Sequence, residues 1–200
     1  MNYLAHLALS GDDMEVAFGN FIGDGVKGAI PQDLPLPVQV GLHLHRFIDH
    51  QSDTHTMNLD MRVFLRRRYS KYAGVVQDMY HDHFLARHWS QIYQKDLGQF
   101  LESFYSSAER RLHLMPLRQK RFFIGMREGG WLMNYGELEG MARAFKGLSM
   151  RSDTTSIMFD AASFLERHYD VFESGFIQWY PQLKDLCDKE QLVLFKKLSI

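Results

Sequence analysis

This sequence has little cysteine and lacks long apolar runs. Cys187 is the one cysteine in 200 residues, so no internal disulfide forms and a reducing compartment is permitted. No apolar run reaches the length of a transmembrane helix. The first residues lack a basic start and soon reach Asp12 and Asp13, unlike a signal peptide. We therefore expect a cytoplasmic protein with no membrane partner.

The sequence also has no large excess of positive or negative charge. The formal net charge is -1, whereas a protein that coats nucleic acid is usually clearly basic. No glycine-rich segment ending in Lys-Ser or Lys-Thr occurs, and Gly129-Gly130 indicates a helix break. These absences exclude a Walker-type nucleotide loop, and we expect no nucleic-acid partner.

Proline is rare, and its positions favour long helices. Of the five prolines, none lies between Pro37 and Pro116, and proline is the residue that interrupts helices. Strand-like alternation is absent, while apolar residues recur at helical spacing. Because 46% of the residues are apolar, a chain of this length can fill one core. The sequence predicts an all-α fold, a helical bundle forming one domain over 1–200.

The spacing of apolar residues also predicts where each helix begins and ends. We expect a first helix after a cap at Ser10 or Asp12 and before a loop at 30–37. Further helices are predicted over 37–54, 57–70, 72–93, 97–114, 116–127, 130–147 and 153–178, with a last one from Pro181 onward.

Three polar pairs at i, i+4 spacing lie in the first half of the chain, which also holds eight of the ten histidines. The pairs are Asn20 with Asp24, His45 with Asp49, and Asp78 with Asp82. Residues four apart share a helix face, so each pair forms one polar strip. Carboxylates that converge inside a bundle repel one another and lose hydration, and a divalent cation offsets both costs.

The donor types indicate which metal would bind. The strips are rich in oxygen, contain imidazole and lack thiolate, which suits Mn²⁺, Mg²⁺ or Fe²⁺ better than structural zinc. Arg46 and Lys27 lie near the same strips, and a guanidinium suits phosphate. A bound metal supplies hydroxide near neutral pH, and a nearby histidine can protonate a leaving alkoxide. Spacing alone leaves a second reading open, in which these pairs are solvated surface residues.

Four segments in order carry a resemblance to a known family. They are Met1–His6 (MNYLAH), Gly19–Asp24 (GNFIGD), Gly41–Asp49 (GLHLHRFID) and Asp78–Trp89 (DMYHDHFLARHW). Together they resemble acyl carrier protein phosphodiesterase, also called acyl carrier protein hydrolase. The resemblance extends over most of the chain, with Ser52-Asp53 where the family has Thr-Asp.

The resemblance implies an activity and a relationship. It implies a divergent member of the HD-domain phosphohydrolases, all-helical and dependent on a divalent metal, typically Mn²⁺. The implied reaction removes 4′-phosphopantetheine from the serine of holo-acyl carrier protein and leaves the apo protein, within fatty acid and lipid metabolism.

Site residues follow from the resemblance, position by position. The implied metal ligands are His6, Asp24, His45, Asp49 and Asp82. Asn20 and Asp78 would orient those ligands. Arg46 would bind the phosphodiester, with His83 or His88 as the general acid.

Basic residues are grouped although the net charge is near zero. One cluster comprises Arg62, Arg66, Arg67, Arg68 and Lys71, and another comprises Arg110, Arg111, Arg118, Lys120 and Arg121. Acyl carrier proteins are small and acidic, and basic patches steer acidic partners. We expect the first cluster to dock holo-acyl carrier protein; the other reading is that both clusters are merely solvated faces.

Three other functions remain open at this stage. An HD-type hydrolase of a nucleotide or other small phosphodiester would turn over small substrates and be indifferent to the basic clusters. A non-catalytic module that binds acyl carrier protein would form its complex without metal. A purely structural bundle would leave the polar pairs unexplained.

Overall fold

The computed structural model describes residues 1–150 and 153–199, and this part of the chain is helical with no strand. The α-helices are α1 (Tyr3–Ala8), α2 (Met14–Ile22), α3 (Leu36–Thr54), α4 (Thr56–Tyr69), α5 (Ala73–Arg87), α6 (Trp89–Tyr93), α7 (Leu97–Glu109), α8 (Leu117–Glu128), α9 (Trp131–Asn134), α10 (Leu138–Ser149), α11 (Ala161–Arg167) and α12 (Tyr169–Leu198). Short 3₁₀ helices cover Gly23–Gly25, Ser70–Tyr72, Leu112–Leu114 and Asp153–Met158. The predicted all-α class is confirmed. Among the described residues, no helix is both long enough and apolar enough to cross a membrane.

The predicted boundaries of α3, α4 and α8 are correct to within one residue, but several others are wrong. The helix predicted over 72–93 breaks at His88, where α5 ends and α6 begins. The segment predicted as one helix over 153–178 is divided among a 3₁₀ helix, α11 and the start of α12. Pro181 lies inside α12 instead of opening a helix. It is exposed, as is Ile177 one turn before, so water can satisfy the carbonyl that proline leaves free.

Helix α1 was not predicted at all. Its residues from Leu4 to Ala8 are all buried, so the segment has no polar face and therefore no amphipathic period. Six residues are also too few to form a stable helix alone. Helix α1 therefore depends on contacts with the rest of the fold.

Helices α2 and α3 cross with their backbones in direct contact. A Cβ atom added to Gly19 would overlap the carbonyl oxygen of Val38, and one added to Gly41 would overlap that of Val16. Only glycine permits this approach from either side. The crossing brings the polar strip of α2 to the polar strip of α3.

Aromatic side chains from α12 close the core behind α3 and α5. Phe172, Phe176, Trp179 and Tyr180 are all buried there. They belong to one continuous apolar cluster that includes residues from α1 through α12. The site described below lies at one edge of this cluster, where α1, α2 and α3 meet.

We predict that Gly41→Ala lowers the free energy of unfolding by about 2–3 kcal/mol, because the added methyl group must displace the α2 backbone. Urea unfolding followed by circular dichroism measures this. Gly147→Ala is the matched control, since its position is an exposed one in α10 with no atom within 4 Å of the new Cβ. That variant should gain about 0.5–1 kcal/mol. Equal stability of Gly41→Ala and the parent would contradict the close crossing.

Candidate metal site

Two histidines and one aspartate converge where α1 meets α3. The rings of His6 and His45 stack with their centroids 4.2 Å apart. Nε2 of His6 lies 3.2 Å from Oδ1 of Asp49, and Nε2 of His45 lies 3.3 Å from Oδ2 of the same carboxylate. One potential ligand atom from each residue lies within 4.8 Å of the others. Within 1–150 and 153–199, this is the one group of three or more histidine, cysteine or acidic side chains so arranged.

Asp24 lies at the solvent side of this group. Its Oδ1 is 3.8 Å from Nε2 of His45, and the nearness of His45 lowers the pKa of Asp24 against the opposing effect of burial. Gly23 makes room for the arrangement, because a Cβ atom there would overlap the His45 ring. A cleft opens beside these residues, lined by Met1, Asn2, Tyr3, His6, Asn20, Phe21, Asp24 and His45.

Asn20 determines how His6 presents its ring. The Asn20 amide nitrogen donates to the carbonyl oxygen of His6 at 2.8 Å and to Oγ of Ser10 at 2.9 Å. Its Oδ1 is therefore the atom that lies 2.7 Å from Nδ1 of His6, and this oxygen can only accept. Nδ1 of His6 must carry a proton, so the neutral ring turns the lone pair of Nε2 toward Asp49. Ser10, which the sequence indicated only as a possible helix cap, contributes to the site by accepting this hydrogen bond from Asn20.

The ionisation states of His6 and Asp49 favour a cation between them. Burial, together with the charge of His45, lowers the pKa of His6 to about 4. Burial favours protonated Asp49, but the adjacent His6 and the amino group of Met1 hold the pKa of Asp49 at about 2. At neutral pH a lone pair therefore faces a carboxylate oxygen at 3.2 Å, and this contact is repulsive unless a cation lies between them. The residues fit a divalent metal.

Asp82 lies behind the site and holds α1 in place. Its Oδ2 accepts from the backbone N–H of Leu4 at 2.9 Å, and its Oδ1 accepts from that of Ala5 at 3.0 Å. The N-cap residue Asn2 makes no capping hydrogen bond of its own. The carboxylate of Asp82, 78 positions from Leu4, takes over this capping role. Burial raises the pKa of Asp82 to about 7, against those two hydrogen bonds.

Two other predicted residues lie close to the group. Oδ1 of Asp78 is 3.3 Å from the amino group of Met1, which is also 3.7 Å from Oδ1 of Asp49. Arg46 donates from Nη2 to the carbonyl oxygen of Gly28 at 2.6 Å. Arg46 therefore ties the loop that follows Asp24 to α3.

The two histidines predicted as general acids lie elsewhere. Nδ1 of His83 donates to the carbonyl oxygen of Tyr135 at 2.7 Å, and its Nε2 accepts from the hydroxyl of Tyr169 at 3.0 Å. Nε2 of His88 lies 2.8 Å from Oε1 of Glu173. His83, Tyr169 and Glu173 line a groove of about 560 Å³ that shares no lining residue with the cleft at His6. The structure does not bring these histidines to the candidate metal group.

The predicted docking cluster of α4 is partly engaged within the chain. Arg62 pairs with Asp53 at 2.8 Å and donates to Oε1 of Gln77 at 3.0 Å. Arg68 donates from Nε to Asp160 at 2.9 Å. The other members, Arg66, Arg67 and Lys71, are exposed.

Comparison with known proteins gives a consistent result. The family model described as acyl carrier protein phosphodiesterase matches residues 1–183. Relatives named acyl carrier protein phosphodiesterase include one from Klebsiella pneumoniae, 31% identical over 197 residues, and one from Escherichia coli, 29% identical over 198 residues. A third, from Yersinia pestis, is 28% identical over 193 residues. Each of these alignments covers 96% of this chain and 100% of the relative. No solved structure matches.

We predict that Asp82→Ala lowers the free energy of unfolding by about 2 kcal/mol. Two buried N–H groups would lose their acceptor at about 1–3 kcal/mol each, and relief of a buried carboxyl group offsets part of that loss. Asp82→Asn keeps one carbonyl acceptor and should lose roughly half as much. Urea titration of the three proteins measures the series. If Asp82→Ala were as stable as the parent, α1 would not depend on this cap.

Proposed function

This chain belongs to the acyl carrier protein phosphodiesterase family, and we propose that it hydrolyses the phosphodiester joining 4′-phosphopantetheine to a serine of holo-acyl carrier protein. The products are the free phosphopantetheine and the apo protein. The observation that carries the proposal is the group of His6, His45 and Asp49, which points two imidazoles and a carboxylate at one place beside an open cleft. Metal-assisted phosphodiester hydrolysis needs such a site.

The proposed ligands are His6, His45 and Asp49, with Asp24 approaching from the cleft side. Nitrogen and oxygen donors without thiolate support Mn²⁺, with Mg²⁺ or Fe²⁺ as the other metals of suitable chemistry. A divalent cation held there supplies hydroxide near neutral pH and polarises a phosphoryl oxygen.

Residues around the ligands position them. Asn20 holds the proton on Nδ1 of His6, so that Nε2 is free to bind metal. We propose that Asp82 acts through α1, because both of its oxygens are engaged by the backbone of the residues just before His6. Asp78 supports the same corner through its contact with Met1.

The substrate phosphate is proposed to contact Arg46. Among the described residues, Arg46 donates to the neutral carbonyl oxygens of Val26 and Gly28, which leave the positive charge of the guanidinium uncompensated at an exposed position. Both His83 and His88 have Nε2 engaged, with Tyr169 and Glu173 respectively. For either histidine to protonate the leaving serine oxygen, the substrate would have to bring that oxygen to the groove lined by His83 or to His88 beside Glu173.

Mass spectrometry of the carrier protein tests the proposed reaction. Holo-acyl carrier protein is incubated with the enzyme and either Mn²⁺ or a chelator. We expect the carrier to lose the mass of phosphopantetheine with Mn²⁺ and to stay intact with chelator. Intact carrier under every metal condition, with turnover of small phosphodiesters instead, would favour the small-substrate alternative. A stable complex without cleavage would favour a binding module.

We also predict that His6→Ala and Asp49→Ala each lower Mn²⁺ affinity by more than about 100-fold, since even an outer partner of a ligand contributes about 10–100-fold. Isothermal titration calorimetry measures the affinity, and release of phosphopantetheine should fall in parallel. His50→Ala is the matched control, because His50 follows Asp49 directly but is exposed and outside the group. Parent-like Mn²⁺ binding by His6→Ala or Asp49→Ala would remove that residue from the ligand set.

A further inference from the structure

Helix α8 packs against the rim of the cleft that opens on the candidate metal site. Tyr3, which lines the cleft, stacks on Phe122 with ring centroids 4.3 Å apart. Gly25, next to Asp24, packs so closely on Gln119 that a Cβ atom there would overlap the Gln119 amide. Both contacts come from the first half of α8, so this half of the helix borders the mouth of the cleft.

The outer face of the same half is basic and apolar. Arg118 and Arg121 are exposed, and neither forms an ion pair with any residue that the structure describes. Leu117 is 66% exposed and Ile124 is 42% exposed. Leu117, Arg121 and Ile124 are spaced at i, i+4 and i+7, so they share one helix face. We call Leu117, Arg118, Arg121 and Ile124 the α8 face.

The position of the scissile bond limits where a carrier protein can dock. In the proposed reaction, one ester oxygen of the phosphodiester is the side-chain oxygen of the carrier's own serine. The carrier surface must therefore reach the mouth of the cleft, because no flexible arm separates the serine from the reacting phosphorus. A docking surface for this substrate has to lie near the cleft, and the α8 face is the solvent side of a helix whose inner side packs against the rim.

The α4 cluster meets this requirement less well. The guanidinium groups of Arg62 and Arg68 already bind partners within the chain, which are Asp53, Gln77 and Asp160. The lining of the cleft includes no residue of α4 or of α8, but α8 contacts its rim through Phe122 on Tyr3 and Gln119 on Gly25. Charge that is paired internally attracts an acidic partner less than unpaired charge does.

We propose that the α8 face, rather than the α4 cluster, docks the acidic carrier protein and presents its modified serine to the cleft. Arg118 and Arg121 attract acidic side chains, and Leu117 and Ile124 bury apolar surface against the partner. This inference rests on the proposed function, and it names the surface through which that function selects its substrate.

Paired charge reversals test the proposal. Arg118→Glu with Arg121→Glu is compared with Arg66→Glu with Arg67→Glu, which makes the same charge change at exposed positions of α4. The dissociation constant for labelled holo-acyl carrier protein is measured in chelator, at low and high salt. KM and kcat are then measured with Mn²⁺. Reversal on α8 should raise the dissociation constant and KM at least about 10-fold at low salt, leave kcat unchanged, and lose much of its effect at high salt.

The α4 reversal should change the dissociation constant less than about twofold, and Arg118→Gln with Arg121→Gln should lie between the parent and the α8 reversal. Equal effects of the two reversals, or an effect confined to α4, would overturn the assignment. A fall in kcat without a change in the dissociation constant would also overturn it. If the parent bound the carrier but released no phosphopantetheine, the proposed function would fail while the binding comparison still decided the docking surface.

Discussion

The backbone contact between α2 and α3 sets the geometry on which the rest of the site depends. Gly19 and Gly41 let the two helices approach without side chains between them. Asn20 follows directly after Gly19, and His45 lies one turn beyond Gly41, so the crossing determines how far their side chains are apart. A wider crossing would separate the residue that orients His6 from the helix that supplies His45 and Asp49. The polar residues near the ends of α2 and α3 can therefore meet only because the two helices pack this closely.

The polar group is arranged so that its members keep one another in useful protonation states. Asn20 holds a proton on Nδ1 of His6, burial keeps that ring neutral at physiological pH, and the carboxylate of Asp49 stays ionised. The lone pair of His6 Nε2 and the negative charge of Asp49 then face each other in a half-buried setting, where unbalanced charge is costly. A divalent cation removes that cost. This explains why a protein whose net charge is near zero keeps such a cluster at the edge of its core.

Substrate selection and chemistry occupy adjoining parts of the molecule in this view. The proposed ligands come from α1 and α3, while α8 packs against the rim of the same cleft through Gln119 and Phe122. The inner side of α8 packs against the rim and its outer side remains in solvent. A helix in this position can bind a partner without rearranging the ligands behind it.

Much of the site follows from the sequence because its local parts are regular. The i, i+4 pairs Asn20/Asp24 and His45/Asp49 share a helix face by helix geometry alone. The ordered segments carrying them resembled a family to which the chain does belong. Helix α3 was bounded correctly since an amphipathic pattern and an early proline mark its start and course. The HD-domain relationship and the placement of Asp82 among the ligands remain predictions.

Tertiary structure alone decided which polar groups meet. Neighbouring residues on a helix point about 100° apart, so Asp82 turns toward α1 while His83 turns to a different groove. Helix α1 is buried throughout and too short to show a period, so its existence depends on a carboxylate 78 positions away. The sequence by itself determined the all-α class, the polar strips and the family. The convergence of His6 with His45 and Asp49 was decided by packing, because contacts across the chain have no local period that a sequence can display.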